Sequence, residues 1–90
     1  MSIVGWDRVP QPFGAALVAR DINGTPLPAR INAHRWPDGR VSYIAMFGGN
    51  ERTHGRIVDC TGPITEAEAR EAIPRLREAL VSAANEKGAP

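Results

Sequence analysis

The sequence predicts an α+β fold: an antiparallel meander of about four strands with one C-terminal, Pro-kinked helix packed on one face. Three observations carry that expectation. Apolar and polar residues alternate in short runs between positions 13 and 61, the turn formers Asn23-Gly24 and Pro37-Asp38-Gly39 separate those runs, and a helical apolar stripe follows Thr65.

Residues 1–12 read as an N-terminal arm, in which Ile3, Val4 and Trp6 are apolar anchors and Pro10 and Pro12 favour extended backbone. Residues 13–85 form the single domain, and the NEKGAP end, with 86–90 as its tail, is expected to fray. The first strand is FGAALVARDI, residues 13–22. Asn23-Gly24 then suits a two-residue type I′ turn, which needs positive φ at both central residues. That loop would pair Val18 with Ala29 and Ala16 with Ile31, and would set Leu17 on the other face with Arg30, Asn32 and His34. Pro26 and Pro28 cannot donate to a ladder, so the second strand should begin irregularly or at an edge.

The second turn decides which residues face the core. A two-residue Asp38-Gly39 loop would put Val41, Tyr43 and Phe47 on a face with Arg30, His34 and Trp36, as a basic and aromatic platform. A type I turn over Pro37-Asp38 closing in a Gly39 bulge swaps the faces, and its residue types fit that loop better. Val41, Tyr43, Ala45 and Phe47 then join Ala29, Ile31 and Ala33 in the core. Ser42, Ile44 and Met46 face outward with His34 and Trp36, and need cover from the arm, the helix or a partner.

GGNERTHG, residues 48–55, reads as a polar loop, and RIVDCT, residues 56–61, as a fourth short strand ended by Gly62-Pro63. Thr65 and Glu68 form a capping box. Ala69, Ala72, Ile73, Leu76, Ala79, Leu80 and Ala83 fall on one helical face, with Glu66–Arg70 and Glu71–Arg75 as i, i+4 pairs on the other. The stripe continues in phase across Pro74, which predicts one kinked helix, although Pro74 removes the bond to the Arg70 carbonyl.

Composition narrows the function classes. With 42% hydrophobic residues in a 90-residue chain, one folded domain with a thin core is expected. The net charge of +1 lacks the basic excess that favours phosphate backbones. Ten of the eleven basic residues are Arg, which suits bidentate contacts but also follows from a GC-rich bacterial or phage genome. A single cysteine allows no internal disulfide, and the N-terminus lacks a long apolar run, so a cytoplasmic location without membrane contact is expected.

No catalytic, cofactor or metal signature stands out. His54, Asp59 and Cys60 offer the residue types of a thiol nucleophile with a base, but Asp59 and Cys60 point to opposite faces of a strand. His34, His54, Asp59 and Cys60 are too scattered for a zinc site. The glycine-rich loop lacks the phosphate-binding pattern. The expected function is therefore that of a small non-catalytic protein-binding or accessory protein: an adaptor, an inhibitor, a small subunit or a homodimer. It would act through the apolar sheet face opposite the helix, with Arg35, Trp36, Ile44 and Met46 as the interface. The alternative is a nucleic-acid-binding domain that uses Arg30, His34, Arg40, Arg52 and Arg56.

Overall fold

The computed structural model describes residues 2–11, 14–49 and 54–88, without the side chains of His54 and of residues 86–88. Five strands and a helix follow in chain order: β1 (Gly5–Gln11), β2 (Gly14–Arg20), β3 (Pro26–Arg35), β4 (Val41–Gly49), β5 (His54–Cys60) and α1 (Glu66–Gly88). Each strand pairs antiparallel with its sequence neighbour, so the sheet order is β1-β2-β3-β4-β5. The expected α+β meander is present, with one strand more than the sequence predicts. The additional strand is the supposed arm, because Gly5 to Gln11 pairs residue for residue with Arg20 to Gly14.

Both hairpin loops have the same construction. Gly24 N–H donates to the Asp21 carbonyl and Asp21 N–H to the Thr25 carbonyl, just as Gly39 donates to Trp36 and Trp36 to Arg40. Gly24 (φ 79°) and Gly39 (φ 90°) hold the left-handed position, and no other residue type has positive φ among those described. Each loop is therefore a type I turn closed by a glycine bulge. Asp21 Oδ1 accepts from the Asn23 and Thr25 amides, and Asp38 Oδ1 accepts from the Arg40 amide, which fixes each first turn.

The second hairpin has the register that the bulged loop predicts, with Ile31 opposite Ala45 and Ala33 opposite Tyr43. The first hairpin corrects its expectation. A type I′ turn is ruled out because Asn23 does not have positive φ. A further irregularity follows between Val18 and Arg20, opposite the prolines that cannot complete a ladder. The longer loop moves the pairing by one residue and the bulge moves it back by two. Leu17 consequently pairs with Ile31 and Val18 with Arg30, so β2 presents the opposite face from the one its alternation suggested.

The core lies between one sheet face and α1. Ala19, Ala29, Ile31, Ala45 and Phe47 meet Leu76, Leu80, Ala83 and Ala84 there, with Trp6, Leu17 and Tyr43 packed against them. The helix starts at the predicted capping box, since Thr65 Oγ1 accepts from the Glu68 amide at 3.2 Å and Glu68 Oε1 accepts from the Thr65 amide at 3.1 Å. The bonds that the Glu68 carboxylate accepts from the Thr65 amide and hydroxyl hold it below its ordinary pKa. Pro74 does not divide the helix, which runs unbroken to Gly88. The two expected i, i+4 pairs are absent among the described residues; Glu66 reaches Arg35 and Arg75 reaches Asp59 instead, tying the helix to the sheet.

Candidate functional site

The sheet's second face carries the residues that sequence alternation leaves outside the core. Register places Val9 of β1, Val18 of β2, Arg30, Asn32 and His34 of β3, Ser42, Ile44 and Met46 of β4, and Ile57 and Cys60 of β5 on that side. None of the described elements covers it, because α1 packs against β3, β4 and β5 from the other side. The arm does not cover it either: Ile3 and Trp6 pack into the helix-side core. Val9 is 40% exposed and Ile57 is 48% exposed, on the two edge strands of this face.

The predicted interface residues separate. Trp36 lies at the end of β3, where its indole N–H donates to Ser42 Oγ at 3.0 Å and its ring meets His34 edge-on at 4.8 Å. Ile44 is half-buried on the open face, opposite Asn32 and Cys60. Met46 is on the same face but completely buried, and its sulfur accepts from the Asn32 side-chain amide at 3.8 Å. It supports the surface from below. Arg35 pairs with Val41 in the register, on the helix side, and its guanidinium meets Glu66 at 3.4 Å.

The basic set is also divided. Arg30 lies on the open face with its Nε donating to Asn32 Oδ1 at 2.9 Å. Arg40 sits in the hairpin loop bound to Asp38 at 2.7 Å, which lowers the Asp38 pKa through bonds from the Arg40 amide and side chain. Arg56 is opposite Phe47 on the helix side, and Arg52 lies outside the described residues. Among the described residues, Arg30, Arg40 and Arg56 therefore do not form one continuous basic platform. Of the thiol and base candidates, His54 and Cys60 begin and end β5, which sets their backbones roughly 20 Å apart. Among the described residues no three His, Cys, Asp or Glu side chains gather as a metal site, and no helix is long and apolar enough to cross a membrane.

A second feature, absent from the sequence-based expectations, lies on the helix side. Because α1 crosses β3 to β5, the β1–β2 end of the sheet is left beside the helix as an open cleft of about 870 Å³. Leu17, Ile31 and Ala33 form part of its lining, with Tyr43 and Ile73 also bordering it. Arg8, Arg35 and Arg77 reach the same space. The Arg77 guanidinium carbon sits 5.9 Å from the centre of the Trp6 ring, within cation–π range. Its Nε is buried without an acceptor, an arrangement that costs about 1–3 kcal/mol. Burial pushes the Tyr43 phenol above its ordinary pKa, against the opposing pull of Arg35.

One signal for this cleft was available in the sequence. Arg77 falls on the apolar stripe of the helix between Ile73, Leu76 and Leu80, a position where a charged group requires an explanation. Arg8 could not be placed before β1 was known as a strand. No family model, curated protein or solved structure matches the chain.

Proposed function

We infer that this chain is a small non-catalytic binding or accessory protein whose working surface is the sheet face opposite α1. The observation that carries this reading is the exposure of Val9, Ile57 and Trp36 on a side that no described element covers. Leaving aliphatic area in water forgoes about 25 cal/mol per Å² of stabilisation, which a partner's surface restores.

The size of the face supports a modest interface. Five strands spaced about 4.8 Å apart, each at least seven residues long, make a shared surface of roughly 24 by 23 Å, or about 1,100 Å² counted over both partners. This lies near the lower limit of specific interfaces and suits a regulated or accessory contact better than an obligate one. A protein fits the chemistry better than a nucleic acid does. Arg20 is neutralised by Asp7 at 2.7 Å and Arg30 is engaged by Asn32, so the apolar strip has few groups ready for phosphate. A location in the cytoplasm accords with the single cysteine, which lies exposed at the end of β5.

A photoreactive benzophenone side chain at position 57, with the exposed position 78 on the helix as control, tests the reading in extract from the organism that encodes the chain. Crosslinking to one protein from position 57 and not from position 78 is expected. The same products from both positions, or attachment to nucleic acid alone, would overturn it.

A further inference from the structure

We propose that the cleft between α1 and the β1–β2 end of the sheet binds a small amphipathic anion, with an oxyanion head held by Arg8 and Arg77 and an apolar body lying on Leu17, Ile31 and Ile73. The cleft is separate from the open sheet face, since these residues belong to the helix side. Its volume of about 870 Å³ matches a site for one small molecule and is too confined for a folded partner.

Three arginines, Arg8, Arg35 and Arg77, line this space, and their pairing differs. Arg35 is tied to Glu66 at 3.4 Å. The other ion pairs are Arg20–Asp7, Arg40–Asp38 and Arg75–Asp59, which leaves Arg8 and Arg77 without a carboxylate among the described residues. Arg77 is held against Trp6, and its Nε is out of contact with any acceptor. With Nε sealed from solvent and no described carboxylate on the guanidinium, its two terminal nitrogens are the groups that can meet a carboxylate or phosphate, which can accept two parallel N–H bonds. The cleft thus supplies both halves of an amphipathic recognition site: an apolar floor bordered by Tyr43, and arginines in its lining. The Tyr43 hydroxyl, which donates to no described residue, can orient the same head.

Nuclear magnetic resonance titration of the intact chain with decanoate, decyl phosphate, decanol and decyltrimethylammonium tests the proposal. Either oxyanion should bind roughly ten-fold or more tightly than decanol, as charge-assisted bonds require, and the cation should not bind. Shifts should centre on Leu17, Tyr43 and Ile73, and the tighter of the two anions names the head group. Arg77→Met keeps the stem over Trp6 and removes the charge, so it should weaken binding by about ten-fold while the fold persists. Arg8→Gln provides a second reading if Arg77→Met does not fold. Equal binding of decanol and decanoate, no binding of either anion at millimolar concentration, or shifts centred on Val9 and Ile57 would overturn the proposal. Its failure leaves the sheet-face reading intact, because Leu17 and Arg8 lie on the helix side of the sheet whereas Val9 and Ile57 lie on the other, with Trp36 alone bordering both surfaces.

Discussion

Ile57 divides its hydrophobic area between folding and binding, and replacing it with Ala measures both shares. The side chain is 48% exposed in the free chain. Full burial of an isoleucine is worth about 1.5–3 kcal/mol, so folding realises roughly half of that, about 1 kcal/mol, and a partner can gain the rest. Ile57→Ala should therefore destabilise the protein by about 1 kcal/mol and weaken the partner complex by a similar amount, roughly five-fold in Kd. Urea denaturation followed by tryptophan fluorescence gives the first number, and titration of the crosslinked partner once purified gives the second. A stability loss above about 3 kcal/mol would refute the reasoning, because it is the cost of emptying a closed core and not a half-covered surface. Unchanged affinity would show that this part of the face takes no share in recognition.

Other substitutions probe the scaffold. Leu80 is completely buried, so Leu80→Ala should cost about 3–5 kcal/mol in the same denaturation assay, and a loss under about 1 kcal/mol would contradict the assigned core. Gly39 has φ 90° with nothing near the space its Cβ would occupy, so Gly39→Ala should cost about 1–2 kcal/mol from backbone strain alone, while D-alanine introduced by synthesis should not. The Glu68 carboxyl is held below its ordinary value of 4.5 in the folded chain by bonds from Thr65, so its contribution is complete above that value and is lost as pH falls through the folded pKa. The stability difference between the wild type and Glu68→Gln should accordingly narrow as the solution is acidified below about pH 4.5, and a difference that widens would refute the capping role.

Local chemistry made much of the fold legible in advance. Pro, Asp and Gly in the second turn each match one backbone requirement, and the strand register that follows is the observed one. Thr65 and Glu68 likewise announced the helix start through a reciprocal bond that needs only the right spacing. The first hairpin was harder because Asn-Gly is compatible with two loops. Asp21, whose side chain accepts two amides, tips the choice to the longer one, and the bulge beside Pro28 then adds a shift that no alternation reveals. Strand β1 was hidden because Pro10, followed in the sequence by Pro12, reads as a polyproline-like arm residue, although Pro10 lies on a sheet edge, where a missing donor is tolerated.

The candidate surfaces were legible in part. Alternation along β4 assigned Ile44 and Met46 to the sheet face opposite the helix, and the register agrees, but Met46 is completely buried there while Ile57 and Val9 stand exposed. Arg35 differs from Trp36 by one position and therefore by one face, which separates residues that are adjacent in the chain. The helix-side cleft depends on where α1 crosses the sheet, a tertiary fact that the periodicity of the helix does not contain.

The most direct test of the open face as the working surface is affinity capture from host extract with the wild type and with Ile44→Asp/Ile57→Asp, each treated with nuclease. A protein retained in stoichiometric amount by the wild type, resistant to nuclease and lost from a variant that still unfolds cooperatively, is the predicted result. Equal recovery by both chains, or recovery abolished by nuclease, would contradict it.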